Sequence, residues 1–151
     1  MKRAFSLLEM LIMVAVLGIL AAVVLPEFQS HSQQAKESAA KDNLRILRNA
    51  IELYATQHNG VAPGYHNNDS STFPRGPSFF TQMIRDGHYL SDWAKNPFNG
   101  KTAIKMVNND EDFPTEPAFT DFCGWVYKPA TKTIKLNWSG TDSQGVRYFD
   151  Y

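Results

Sequence analysis

The side chains of this chain that could do chemistry are spaced in ways that give no catalytic constellation. The four histidines include no pair at the i, i+4 spacing that two metal ligands on one helix need. The single cysteine, Cys123, excludes an intramolecular disulfide and zinc sites built on cysteine pairs, and a buried, inert thiol is expected. His58 is expected to pack or cap near a helix end. The sequence therefore predicts a protein that is not an enzyme.

Two acidic stretches carry the oxygen ligands that calcium prefers in flexible loops. One is residues 108–112, with the sequence "NNDED". The other is Asp142, with the hydroxyls of Ser139 and Ser143 and the carbonyls of the loop "SGTDSQG". Neither stretch has the spacing of a known calcium loop, and acidic loops are usually only solvated. Calcium at Asp142 is therefore predicted as an optional ligand, and no cofactor is required.

The composition of the 151 residues predicts a small neutral head with an apolar appendage. Lys plus Arg and Asp plus Glu are equal at 15 each, so no basic surface that attracts nucleic acid is expected. The composition changes sharply at Pro26. Before it nearly every residue is apolar, and after it the sequence is mixed, as in a soluble domain.

The apolar appendage has the length of a spanning helix but carries an unexplained carboxylate. Phe5 to Leu25 is 21 residues, which as a helix cover about 30 Å, the thickness of a bilayer core. Lys2 and Arg3 precede it, which places the N-terminus in the cytoplasm. A secretory signal peptide, with a poor cleavage site, and an uncut signal anchor are both alternatives. Neither explains Glu9, because a carboxylate in a spanning helix costs about 2.5–3.5 kcal/mol.

The first residues of the chain resemble the N-terminus of type IV pilins and type II secretion pseudopilins, in the stretch "FSLLEMLIMVAVLGILAAVVLPEF". In that family a prepilin peptidase cuts before the apolar segment and methylates the new N-terminus, usually Phe, with Glu as the fifth residue. Phe5 and Glu9 match that spacing, and Gly18 and Pro26 match the family's helix-weakening Gly and Pro. Ala4 departs from the family, which normally has Gly before the cut.

The resemblance implies a role for each of these residues. Cleavage between Ala4 and Phe5, with methylation of Phe5, would leave a cationic amine one helical turn from Glu9. Glu9 would pair with such an amine and set the register of copies in a filament, because a mispaired register leaves a charge buried alone. The stretch between Gly18 and Pro26 would lose helical form in the filament. The implied domains are a cytoplasmic leader of residues 1–4, a transmembrane and assembly helix of residues 5–26, and a periplasmic or extracellular head of residues 27–151.

The predicted fold class is α+β, with a long N-terminal helix packed on a small antiparallel β-sheet. One helix should run from about Phe5 to His58, with a kink at Pro26. Its apolar stripe is spaced 4, 3, 4, 3 and 4, and Ile46 and Leu53 are among the residues that widen it. The stripe is Ala40, Leu44, Leu47, Ile51, Tyr54 and His58.

The head is predicted to add a short helix over residues 78–86, capped by Ser78, and three strands. The turn "NPFNG" leads into the first strand, and the other two form a hairpin joined through Pro129–Lys132. The C-terminal tail should fold against the head. The predicted strands are residues 102–107, 123–128 and 133–138.

The resemblance favours one function and leaves a second open. The head looks more like the G-type major pseudopilins, which bind calcium in a C-terminal loop, so Asp142 is the favoured calcium ligand. The implied protein is a filament subunit, stored as a single-pass protein in the bacterial inner membrane and polymerised into a type IV pilus-like filament or a pseudopilus in the periplasm or at the cell surface. Its implied partners are its own copies, prepilin peptidase, the assembly platform and minor pilins. The alternative is a membrane-anchored minor pilin that acts as an adhesin or a DNA-uptake module.

Overall fold

The computed structural model describes residues 6–151, apart from the side chains of residues 23–30. The chain divides into two compact units, one ending at Ala35 and the other Lys36–Tyr151, and α1 runs through both. The described helices and strands are α1 (Leu7–Gln57), α2 (Gly76–Phe80), β1 (Ile104–Met106), β2 (Trp125–Lys128) and β3 (Thr133–Leu136).

The first unit is the N-terminal part of α1. Every side chain described between residues 6 and 22 is exposed to solvent. Within the described residues, no helix carries an apolar stretch that is long enough to cross a membrane.

In the second unit α1 buries the face that its spacing predicts. The apolar side chains on this face of α1 pack against side chains of β2 and β3. Apolar burial of this kind is the main favourable term in folding. The wider stripe is wrong at Ile46 and Leu53, each 50% exposed, because the sheet is only three strands wide and covers a narrow strip of the helix. The buried stripe is Ala40, Leu44, Leu47, Ile51 and Tyr54, all at most 2% exposed.

The sheet of the head has the strand order β1-β2-β3. β2 and β3 form the predicted antiparallel hairpin, with Trp125 opposite Leu136. β1 pairs with β2 in parallel, with Ile104 opposite Trp125. The α+β fold class is therefore confirmed, but the antiparallel prediction is wrong for β1. The chain leaves the end of β1 and returns through residues 107–124 to the start of β2, a connection long enough for a parallel pair.

The central strand is buried on both faces. Trp125 and Tyr127 face the core under α1, while Val126 packs with Val107 and Phe149 in a second, smaller cluster. Phe149 belongs to the C-terminal tail, so the prediction that the tail folds against the head is confirmed.

Buried asparagines fix the loop before β2. Asn96 closes the predicted "NPFNG" turn by accepting the N–H of Gly100 at 2.8 Å, and its side chain donates to the carbonyl of Gly124 at 3.0 Å. The side chain of Asn137 donates to the carbonyls of Ala118 and Cys123 at 2.8 and 2.9 Å. The backbone of Gly124 lies so close to that of Lys101 that a Cβ at Gly124 would lie 2.2 Å from the carbonyl oxygen of Lys101.

The short helix begins earlier than predicted. α2 starts at Gly76 and has Pro77 in its first turn, where its missing N–H is unneeded, so Ser78 is not the cap. A π-helical turn, Thr81–Arg85, continues it. Phe79 and Met83 are fully buried, as the pattern predicts.

Candidate functional site

Glu9 lies in the first turn of α1 and satisfies a backbone group at the start of the helix. The N–H of Ser6 donates to Oε2 of Glu9 at 3.3 Å, while the carbonyl of Ser6 accepts the N–H of Met10 at 3.2 Å. This is one half of a capping box, in which the third helical residue bonds back to the residue before the helix. Prediction from sequence missed this role, although the Ser-x-x-Glu spacing is its signal.

The two residues of the predicted cleavage site, Ala4 and Phe5, lie outside the described residues. The ion pair between Glu9 and an amine on Phe5 therefore stays a prediction. The carboxylate of Glu9 itself is exposed, so it is accessible to a cation from its own chain or from another copy.

Gly18 and Pro26 both lie within α1. Beyond its chain neighbours and the backbone of its own helix, a Cβ at Gly18 would have no heavy atom within 4 Å, so packing inside one copy does not require glycine there. Glycine still weakens a helix by about 1 kcal/mol relative to alanine, which suits the role that the family resemblance implies. The backbone is helical at Pro26, and the predicted kink and the loss of helix in a filament stay predictions.

The exposed apolar side chains of residues 7–20 form a surface along this stretch of α1, which we call the assembly surface. Leu7 is 82% exposed and Leu17 is 64% exposed. Soluble monomers rarely expose apolar surface in contiguous patches beyond a few hundred Å², and larger ones mark sites of contact with protein or membrane. The other large members are Leu8, Met10, Leu11, Ile12, Met13, Val14, Val16, Ile19 and Leu20.

Asp142, the predicted calcium ligand, is buried in the second unit with every lone-pair direction engaged. Its Oδ1 accepts the N–H groups of Gln144 and Val146, both at 2.9 Å. Its Oδ2 accepts the hydroxyl of Tyr151 at 2.7 Å and lies 3.3 Å from Nζ of Lys41. The hydrogen bond from Tyr151, helped by the two N–H groups and Lys41, lowers the pKa of Asp142 to about 2 although burial opposes the shift.

A second buried carboxylate, Glu37 of α1, holds the same tail. Its Oε1 accepts the hydroxyl of Tyr148 at 2.9 Å, and its Oε2 accepts the hydroxyl of Ser143 at 3.3 Å. Buried carboxylates persist only when hydrogen bonds or cations satisfy them. We call Glu37, Lys41, Asp142, Tyr148 and Tyr151 the C-terminal clasp, because together they fasten the tail to α1.

Comparison with known proteins finds relatives that are named as secretion-system proteins and relatives that are named as pilus or fimbrial proteins. The chain is 26% identical over 97 residues to a type II secretion system core protein G of Aeromonas hydrophila, covering 64% of this chain and 68% of the relative. It is 46% identical over 56 residues to the type IV major pilin protein PilA of Myxococcus xanthus, covering 37% and 26%. It is 37% identical over 113 residues to a fimbrial protein of Neisseria meningitidis serogroup B, covering 72% and 65%.

These relatives support a pilin and pseudopilin family for the chain. No family model matches the chain, and no solved structure matches it. The chain spans about two thirds of the core protein G and of the fimbrial protein, and about a quarter of the Myxococcus pilin.

In this pilin-like head, calcium at Asp142 stays a prediction. Within the described part of the chain, no group of three His, Cys, Asp or Glu side chains is placed to hold a metal ion. A calcium ion could still use carbonyl and hydroxyl oxygens, but Lys41 would have to leave Asp142 first. In the other acidic stretch, the side chain of Asn108 donates to Oε1 of Glu111 at 2.9 Å, and residues 109–112 are exposed.

The predictions for His58 and Cys123 have different outcomes. The packing role of His58 is confirmed, because its ring stacks on Tyr54 with centroids 3.9 Å apart and its Nδ1 lies 2.8 Å from the carbonyl oxygen of Tyr54. Cys123 is half-buried and not fully buried as predicted, because β2 begins only at Trp125 and leaves Cys123 in the loop before the strand. Burial raises the pKa of its thiol, with Lys105 opposing, which keeps the sulfur protonated and weakly reactive.

Proposed function

We propose that this chain is a filament subunit, stored in the bacterial inner membrane and polymerised through α1 into a type IV pilus-like filament or a secretion pseudopilus. Its relatives carry the names of pilus and secretion-system proteins, which supports a structural subunit of one of these two assemblies. The single observation that carries the proposal is the assembly surface, because its apolar side chains have no partner within the described first unit.

The exposed apolar side chains of the assembly surface favour burial away from water. Removing apolar surface from water yields roughly 25 cal/mol per Å², so a helix covered with exposed Leu, Ile, Val and Met side chains favours any environment that excludes water. Lipid would supply that environment for a stored subunit with residues 5–26 as the membrane segment. Neighbouring copies would supply it in the filament.

Glu9 would act differently in the two states. In one copy its carboxylate bonds the N–H of Ser6. In the filament it would pair with the amine of Phe5, and the buried pair would select one register between copies. Contacts of this head-to-tail kind are heterologous, so the assembly stays open and grows as a filament.

The proposed partners act on the subunit one after another, during processing and then during assembly. Prepilin peptidase would remove residues 1–4 and methylate Phe5, and an inner-membrane assembly platform with minor pilins would add the mature subunit to the filament. The N-terminus would be cytoplasmic, and the head would be periplasmic or at the cell surface. The chain would carry out no reaction itself.

The mass of the full-length protein from cell envelopes tests this life history. In cells that contain prepilin peptidase, we expect a mass lower by Met1 to Ala4 and higher by one methyl group. Without the peptidase, the same protein should keep those four residues. An Ala4→Gly variant serves as the control for efficient processing. An uncut, unmethylated protein in both strains, with Ala4→Gly also uncut, would show a plain membrane tether.

A second candidate function is a membrane-anchored minor pilin that acts as an adhesin. One observation favours it, a polar groove on the head that is lined by tyrosines.

A further inference from the structure

The head carries a groove of about 770 Å³ between the end of α1, the loop of residues 65–68, and the helical segment of residues 76–87. We call it the tyrosine groove, after Tyr54, Tyr65 and Tyr89, which line it. Its volume falls within the range of small-molecule binding sites. The assembly surface lies on residues 7–20, so the groove uses none of the residues assigned to polymerisation.

The floor of the groove is held by one side-chain amide. Gln82 accepts the N–H of Gly64 at 2.7 Å and donates to the carbonyl of Tyr65 at 2.7 Å. It also donates to Oδ1 of Asn68 at 2.9 Å, which in turn accepts the hydroxyl of Tyr54. These groups are committed to one another, so the floor is rigid before any ligand arrives.

Aromatic rings form one wall. The rings of Tyr54 and His58 stack at 3.9 Å, and the ring of Tyr89 meets that of Tyr54 edge-on at 5.2 Å. The hydroxyl of Tyr89 is fixed by Gln57. Burial raises the pKa of both Tyr54 and Tyr65, so their hydroxyls stay protonated and uncharged.

The rim, in contrast, carries uncommitted polar side chains. Within the described residues, the side chains of Ser78, Thr81 and Asp86 take part in no hydrogen bond or ion pair, and they line the groove. Arg75 lines it as well and also has no side-chain partner in that part of the chain. The rim therefore offers hydroxyls, one carboxylate and one guanidinium to a ligand, and the imidazole of His66 lines the groove beside them.

We propose that the tyrosine groove binds a neutral saccharide. Sugar hydroxyls both donate and accept hydrogen bonds, which matches a rim of hydroxyl, carboxylate and guanidinium groups. The apolar face of a sugar ring matches the half-buried rings of His58 and Tyr89, which the buried ring of Tyr54 supports from behind. Phosphate or nucleic acid is disfavoured, because binding of those anions depends on an excess of cations, and Asp86 opposes Arg75 here. A subunit with this groove would attach its filament to glycan-bearing surfaces or polysaccharide.

Binding is tested on the full-length chain in a zwitterionic detergent without a sugar headgroup. The probes are cellobiose and N,N′-diacetylchitobiose, and the readout is the NMR signal of the His58 ring. We expect saturable shifts with at least one disaccharide. A Thr81→Ala/Asp86→Asn double variant should weaken binding by about tenfold or more, as expected when paired polar contacts are lost.

A matched control removes the same chemical groups elsewhere. Thr102 and Asp121 lie outside the groove lining, so a Thr102→Ala/Asp121→Asn double variant should bind like the unmodified chain. If both double variants melt at the same temperature as the unmodified chain, the fold is retained. No saturable shift with either disaccharide, an equal loss in both double variants, or preferential binding of glucose 6-phosphate would overturn the proposal. Filament assembly is scored separately and should be unchanged in both variants.

Discussion

Two leucines on one helix experience opposite environments. Leu17 in the first unit is 64% exposed, whereas Leu47 in the second unit is 1% exposed and packs in the core of the head. Both sit in α1 and both have the same intrinsic preference for a helix. The difference shows that apolar character is used for internal stability in the head and is left for external contacts in the first unit.

The comparison predicts its largest effect for paired leucine truncations. Leu47→Ala should lower the free energy of unfolding of the head by about 2–5 kcal/mol, because it removes a buried side chain and leaves a cavity. Leu17→Ala should leave that free energy unchanged. Denaturant unfolding followed by tryptophan fluorescence measures it, since Trp93, Trp125 and Trp138 all lie in the head. A loss of head stability from Leu17→Ala as large as that from Leu47→Ala would break the comparison.

The C-terminal clasp predicts a pH-dependent effect inside the head. The pKa of Asp142 is lowered from 3.8 to about 2, so its stabilising contribution is complete above pH 3.8 and is lost as the pH falls through the folded value. Asp142→Asn should therefore lower the melting temperature at neutral pH. The gap between variant and unmodified chain should close near pH 2. A gap that persists unchanged into that acid range would show that the charge of Asp142 is not what holds the tail.

Calcium gives a smaller test of the same cluster. If calcium binds at Asp142, it must displace Nζ of Lys41, which lies 3.3 Å from Oδ2. Lys41→Met should then strengthen binding in a calorimetric titration, because no cation competes. Asp142→Asn is the control and should abolish the heat. Absence of heat from both the unmodified chain and Lys41→Met would end the calcium prediction.

The smallest effect is expected at Tyr127, in the centre of the sheet. Its hydroxyl is buried and has no hydrogen-bond partner among the described residues. Tyr127→Phe should thus change the free energy of unfolding by about 1 kcal/mol or less, and in the stabilising direction. Tyr148→Phe is the matched control and should destabilise clearly, since its hydroxyl donates to the buried carboxylate of Glu37. Similar losses from both variants would contradict this ranking.

Local periodicity predicted much of the fold and little of the C-terminal clasp. The stripe from Ala40 to Tyr54 and the β2–β3 hairpin follow from spacing within a few residues. The parallel pairing of β1 does not, because it depends on a long return of the chain. The clasp joins Lys41 to Asp142 across about one hundred residues, and no short-range pattern encodes such a contact.

For Glu9, in contrast to the clasp, a short-range sequence pattern encodes the observed contact. A local signal, the spacing from Ser6 to Glu9, encodes the hydrogen bond that the structure contains. The family resemblance points to the long-range role instead. These two roles use different properties of one carboxylate, since the cap needs an acceptor oxygen and the filament pair needs a negative charge.

The most direct test of the account separates these two properties in filaments sheared from cells. Glu9→Gln keeps an acceptor oxygen for the N–H of Ser6 but has no charge, whereas Glu9→Val has neither. With each variant as the sole copy, the account predicts that both lose filaments to the same extent while the head unfolds as in the unmodified chain. Normal filaments from Glu9→Gln would contradict it, because charge pairing at Glu9 would then not direct assembly.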